Sequence, residues 1–191
     1  MLVDLHIHTY HSDGTMSPKE VVEEAKRNNI GIISITDHDV LDSYDELMVE
    51  AKKSNITAIR GVEIDSIFEG HLVHLLAYNF NDNEKLFKLI NAAKQTLLET
   101  SDELIKRMSK DYPSISIEDY QVYEYDRRKG GWKGIHYLLD RNITEGLFDG
   151  MKFYGQYECG HEKFAFPDVE EVCKVVHEAD GYVVLAHPCN Y

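Results

Sequence analysis

Apolar and polar positions along the chain change period several times, and each change marks an element. Leu2 to Thr9 (LVDLHIHT) alternates with period two, which predicts a strand. Ser17-Pro18-Lys19-Glu20 then opens a helix. Ser17 is a good N-cap, Pro18 suits the first turn, and Glu20 completes a capping box. The helix runs to Asn29, and Gly31 fits its C-terminal stop. Gly31 to Thr36 is a short apolar run, as expected of a buried parallel strand. Tyr44, Leu47, Met48 and Ala51 share one face of a second helix. Ile56 to Ile64 and Leu72 to Tyr78 read as a third and a fourth strand.

This rhythm of strands and helices is that of βα units around a parallel sheet or barrel. It breaks after residue 82. Leu86, Ile90, Ala93, Leu97, Leu104 and Met108 make one long helical stripe over residues 83–110. Residues 111–166 hold Pro113, glycine-containing turns and many aromatics, with no βα pattern. Residues 83–166 are therefore read as a mostly helical insertion packed on a barrel built from 1–82 and 167–191. Asp168 caps a last helix whose apolar face carries Val172, Val175, Val176 and Ala179. Gly181 ends it, and Tyr182 to Ala186 forms a fifth strand.

Composition narrows the possibilities. Of 191 residues, 43% are hydrophobic and 28% charged, which marks a soluble globular chain and not a disordered one. Acidic residues number 34 against 20 basic ones, a formal charge of -14. Such a surface repels polyanions and argues against a duplex-DNA partner, but a small phosphorylated ligand can still be held through bound cations. No run of about 18 apolar residues exists, so no membrane span is expected. The N-terminus lacks the basic and apolar regions of a signal peptide. Cys159, Cys173 and Cys189 are odd in number and show no CxxC pairing, so a reducing, cytoplasmic location is expected.

The ten histidines change the picture more than any of this. His6 and His8 are two apart on the first strand and so point to one side. Asp13 lies in the turn just after it. His38 ends the second strand, Glu63 the third and His187 the fifth, and His74 lies in the fourth. Every predicted strand thus delivers a metal-ligand type near its C-terminal end, where βα barrels build active sites. Imidazole and carboxylate without thiolate suit Zn²⁺, Mn²⁺ or Fe²⁺ and argue against a Ca²⁺ cage or a cysteine zinc site. Seven ligands exceed the needs of one ion, so two or more are expected, with Glu63 the natural bridge. Asp37 is expected either to support an imidazole from behind by accepting its hydrogen bond or to cap the strand end. Arg127, Arg128 and Lys133 form the one basic cluster near a glycine turn, either a phosphate clamp or a solvated loop. His11 either approaches an ion, supports a ligand from behind or is exposed, and His71 either lines the mouth of the site or is exposed. His136, His161 and His177 are read as structural or surface residues, since none ends a predicted strand.

The pieces Asp4-Leu5-His6-Ile7-His8-Thr9-Tyr10-His11-Ser12-Asp13-Gly14, Thr36-Asp37-His38-Asp39, Gly61-Val62-Glu63-Ile64, His71-Leu72-Val73-His74 and Ala186-His187-Pro188 resemble the PHP (polymerase and histidinol phosphatase) family. Their order and spacing are similar to the branch of stand-alone phosphoesterases acting on nucleoside 3',5'-bisphosphates and short RNA 5' ends. The resemblance implies an α/β fold, a distorted seven-stranded (β/α)7 barrel, and a three-metal cluster. It implies His6, His8 and Glu63 at one ion, Glu63, His74 and His187 at the second, and Asp13 with His38 at the third. Two departures stand out. The family's late Asp-x-His pair is absent, and five of seven barrel strands are provided. Either the barrel is truncated, or a short variant fills those positions with water, ligand or another subunit; in both cases an open sheet edge is expected that invites pairing with a second copy as a homodimer. Where the branch has Gly-Arg-Pro-His, this chain reads Gly130-Gly131-Trp132-Lys133-Gly134-Ile135-His136.

The activity this implies is metal-dependent hydrolysis of a phosphate monoester by a metal-bridged hydroxide. The substrate would be a nucleoside bisphosphate or a short single-stranded nucleic-acid end. The alternatives are a histidinol-phosphate or phosphotyrosine phosphatase of the same family, or a metal- and phosphate-binding fragment without turnover.

Overall fold

The computed structural model describes residues 1–190. Strand β1 (Leu2–Ile7) leads into helix α1 (Pro18–Arg27), followed by β2 (Ile30–Ile35) and α2 (Tyr44–Lys53). The Ser17 hydroxyl accepts from the Glu20 amide and the Glu20 carboxylate accepts from the Ser17 amide, so the expected capping box forms. β1 and β2 pair in parallel, and both sit with α1 and α2 around Val21, Val22, Ile33, Ile35, Leu47 and Ala51.

The single third strand expected over Ile56–Ile64 is two strands. A short β3 (Thr57–Ala58) completes the first sheet beside β2, while β4 (Gly61–Phe68) starts a second one. The chain changes sheets at Gly61, whose backbone presses against Ser34 and Thr36. A Cβ there would stand 2.2 Å from Ser34 Oγ, so only glycine fits the crossing. β4 turns at Glu69-Gly70 into β5 (His71–Tyr78), and the pair is antiparallel. Both turn residues have positive φ, 49° and 82°, as a tight hairpin requires. The parallel arrangement expected for this half is therefore corrected: β4, β5 and β6 (Tyr182–Leu185) form an antiparallel sheet.

The two three-stranded sheets meet where β2 ends. Asp39 N donates to Glu63 O at 2.8 Å, and Glu63 N donates to Asp37 O at 3.3 Å. On the other side Tyr78 Oη donates to Leu5 O at 2.7 Å, tying β5 to β1. The result is an α/β arrangement of two three-stranded sheets, joined where β2 ends and through Tyr78.

Between β5 and α7 (Val169–Glu178) the chain is helical: α3 (Glu84–Met108), α4 (Ile117–Val122), α5 (Lys133–Asp140) and α6 (Met151–Gln156), with short 3₁₀ turns between them. Asn83 and Asp168 cap α3 and α7 through their side chains. The first half of α3 packs Leu86, Leu89, Ile90 and Ala93 with α7 on the second sheet. Its second half leaves the sheet and joins Leu104, Ile105 and Met108 to a separate core with Ile135, Tyr137, Leu138, Phe153 and Tyr154. Among the described residues no helix is long and apolar enough to cross a membrane.

Candidate metal centre

Glu63 is the third residue of β4, near its start and not at its C-terminal end as the sequence pattern had it. Its side chain is 1% exposed, yet it is ringed by imidazoles. Oε2 lies 2.9 Å from His6 Nε2, 3.0 Å from His8 Nε2 and 3.5 Å from His38 Nε2. Oε1 lies 3.2 Å from both His74 Nδ1 and His187 Nε2. His6 is on β1 and His8 just beyond it, so the two-residue spacing does place both rings on one side. His74 sits in mid-strand on β5, paired across the ladder with Asp65. His187 follows β6 and adopts positive φ.

Two further carboxylates stand behind the rings. Asp13 Oδ1 is 3.1 Å from His8 Nδ1. Asp65 Oδ1 is 2.9 Å from His38 Nδ1 and 3.6 Å from His74 Nε2. Asp65 was not among the residues singled out from sequence. Its signal was present: Glu63-Ile64-Asp65 on a strand puts both acids on one face.

The charges interlock. Burial works against a protonated imidazole at His8, but Asp13 and Glu63 outweigh it and raise its pKa to about 9. Burial opposes the charge at His38 as well, and Asp65 followed by Glu63 raises it to about 10. Burial pushes Glu63 upward, yet the hydrogen bonds of His6, His74 and His8 hold it far below the usual carboxylate range. Asp13, also opposed by burial, is brought to about 2 by His8. Asp39, wholly enclosed, is pushed well above an ordinary carboxyl by burial and by neighbouring Asp65.

The donor set fits divalent cations. Four groups of three side chains bring their ligand atoms within 4.8 Å of one another: His6, His8, Glu63; His8, Asp13, His38; His38, Asp65, His74; and Glu63, His74, His187. In the last group Glu63 Oε1, His74 Nδ1 and His187 Nε2 form a triangle with every edge 3.2 Å. Nitrogen and oxygen ligands at about 2.0–2.2 Å from a tetrahedral ion stand roughly 3.3–3.6 Å apart. The triangle has those proportions. All seven ligand candidates read from sequence are thus gathered at one place.

The other sequence candidates are placed differently. Asp37 holds no imidazole. It accepts from Thr9 N at 2.6 Å, Thr9 Oγ1 at 2.7 Å and Ser12 Oγ at 2.7 Å, and so pins the loop that carries His8 and Asp13. Arg128 pairs with Glu20 and lies over Tyr10, and Lys133 donates to Gln121 O at 3.1 Å. Both are engaged in the fold. Arg127 is exposed on the turn Arg127–Lys129, which is seated beside the metal loop, since Gly131 N donates to Asp13 O at 2.8 Å. His136 is buried, bonded to Gly130 O at 2.7 Å and stacked on Tyr125. His11 packs on the Tyr10 ring, and His71 and His177 are exposed. The His161 ring packs on Phe166 and lies within electrostatic reach of Asp65 and His74.

The metal loop has no slack at Gly14, where a Cβ would stand 2.3 Å from the backbone oxygen of His8. Gly14→Ala is expected to destabilise the fold by about 1–3 kcal/mol, as overpacking against rigid backbone does. Urea unfolding would show a lower midpoint. An unchanged midpoint would mean that the loop yields.

A model of the PHP domain family matches residues 4–151. The chain belongs to the PHP domain family. It is 27% identical over 203 residues to a 5'-3' exoribonuclease of Haemophilus influenzae, covering 98% of this chain and 69% of that one. It is 30% identical over 200 residues to a 3',5'-nucleoside bisphosphate phosphatase of Chromobacterium violaceum, covering 99% and 67%. A solved structure assigned as a metal-dependent phosphoesterase from Bifidobacterium adolescentis superposes with a TM-score of 0.78 at 28% identity, over 97% of this chain and 66% of the other. The chain therefore spans about two thirds of the length of the relatives it matches.

Proposed function

We propose that this protein hydrolyses a phosphate monoester on a small nucleotide-like substrate, a nucleoside 3',5'-bisphosphate or the 5' end of a short RNA. The observation that carries the reading is Glu63, a buried carboxylate whose two oxygens each face a separate group of imidazoles. Similarity to the exoribonuclease and to the bisphosphate phosphatase supports the substrate class.

His6 and His8 with Glu63, Glu63 with His74 and His187, and Asp13 with His38 would hold divalent ions. The nitrogen and oxygen donors suit Zn²⁺, Mn²⁺ or Fe²⁺. Bound ions would neutralise phosphate oxygens and acidify a coordinated water, the chemistry that phosphoester hydrolysis needs. The chain's own residues do the rest. Asp37 fixes the Thr9–Ser12 backbone and so the position of His8. Arg127, an exposed cation on the turn beside that loop, is assigned to a second phosphate of the substrate. The three cysteines are free, which suits a reducing compartment.

The test is a substrate panel with chelator and metal re-addition. Nucleoside 3',5'-bisphosphate and 5'-phosphorylated RNA should be hydrolysed, with activity lost to chelator and restored by Mn²⁺ or Zn²⁺. Arg127→Ala should raise KM for the bisphosphate on the order of tenfold, as expected for one charge-assisted hydrogen bond. Turnover of histidinol phosphate or phosphotyrosine alone would redirect the substrate assignment. Hydrolysis that survives chelation would remove the metal centre from it.

A further inference from the structure

Asp65 lies outside the seven ligand positions read from the sequence, yet it touches the rings of two of them. We infer that Asp65 is a positioning residue that fixes the proton of His38 on Nδ1 and orients His74, so that His38 Nε2 and His74 Nδ1 are the nitrogens left to an ion beside Glu63. This rests on the metal-centre reading above.

A neutral imidazole has one donor nitrogen and one acceptor nitrogen. Asp65 Oδ1, a carboxylate oxygen 2.9 Å from His38 Nδ1, can only accept, so the proton belongs on Nδ1. Nε2 is then the nitrogen that gives up its proton when an ion binds, and it faces Glu63 Oε2, 3.5 Å away. His74 shows the same division with its ring reversed. Nδ1 faces Glu63 Oε1 at 3.2 Å, and Nε2 faces Asp65 Oδ1 at 3.6 Å, too long for a hydrogen bond, so Asp65 orients this ring without fixing its proton. Two rings, one just past β2 and one on β5, thus turn a nitrogen to one oxygen. That oxygen is itself held rigidly. The Asp65 side chain is 4% exposed, its amide donates to Asp39 Oδ1 at 3.1 Å, and it stands directly opposite His74 in the β4–β5 ladder. A carboxylate behind a ligating imidazole sets its tautomer and raises its basicity.

His38, Asp65 and His74 could instead hold an ion of their own, since their ligand atoms lie within 4.8 Å of one another. Both rings would then have to bind ions through both nitrogens, and each would have to give up its last N–H. The positioning role asks for no such deprotonation.

Zinc binding by the full chain and by Asp65→Asn, together with nitrogen-15 imidazole spectra of the zinc-loaded protein, decides the matter. The His38 signal is assigned by its loss in His38→Gln. In the wild type, His38 should carry its proton on Nδ1. Asp65→Asn should bind zinc about 10–100-fold more weakly at one ion, with the same number of zinc ions at saturation. One zinc fewer at saturation in Asp65→Asn would make Asp65 a ligand and overturn the inference. So would wild-type affinity in the variant, or a wild-type His38 proton on Nε2. The wild-type spectrum answers the question even where Asp65→Asn does not fold. A wild type that takes up no zinc would overturn the metal-centre reading itself, a different failure from any of these.

Discussion

Glu63→Gln is expected to empty the centre and to lower kcat/KM for the bisphosphate on the order of 1,000-fold. The change is isosteric, so the backbone links from Glu63 to Asp37 and Asp39 remain. What disappears is the single negative charge that His6, His8, His38, His74 and His187 all face. An amide offers one oxygen in place of two charged ones, so it cannot serve both imidazole groups. Metal ions commonly supply several kcal/mol of transition-state stabilisation, and about 4 kcal/mol is three orders of magnitude in rate. Metal analysis after dialysis should find little of the wild-type content. His177→Ala, on the exposed last turn of α7, serves as the silent control. Glu63→Gln with wild-type metal content would show that the imidazoles hold ions without the carboxylate, and the proposed bridge would be lost.

The ligands were legible because they ride on local periodicity. His6 and His8 read as one face of a strand from two residues of spacing, and the caps at Ser17 and Asp168 lie beside the helices they start. What the sequence hid is set by distant partners. Whether β4 pairs in parallel or antiparallel depends on the turn at Glu69-Gly70, and a glutamate at positive φ is a poor advertisement for a hairpin. The break between β3 and β4 depends on Gly61 meeting Ser34 and Thr36, residues from another strand. Arg128 was open between a phosphate clamp and a solvated loop because its partner Glu20 lies 108 positions away. Asp37 looked like a partner of histidine because it adjoins one in sequence. In the fold its oxygens turn to Thr9 and Ser12.

The metal-free and zinc-loaded proteins should respond to pH in different ways. In the metal-free chain His8 at about 9 and His38 at about 10 lie above the ordinary imidazole value. Their contribution to stability is complete below about pH 6.5 and is lost as pH rises through 9 to 10. Asp13, lowered to about 2, and Glu63, lowered further, contribute above the ordinary carboxylate range, and that part is lost only on acidification. The metal-free protein should therefore be most stable near pH 5–6 and weaken steadily above. Zinc must displace the two imidazole protons, while the carboxylates are already ionised. Each displaced proton strengthens binding about tenfold per pH unit, so affinity should rise roughly 100-fold per unit between about pH 6.5 and 9. Once loaded, the folded chain carries neither proton. Its stability should rise up to about pH 6.5, where unfolded imidazoles still bind protons, and then stay level. Thermal unfolding at pH 5.5, 7 and 8.5, with buffered free zinc or with chelator, should give two curves that separate as pH rises. Calorimetry in two buffers of different ionisation enthalpy should count about two protons released on binding. Parallel curves, or no proton release, would mean that His8 and His38 are neutral before the ion arrives and that Asp13, Asp65 and Glu63 do not hold their protons.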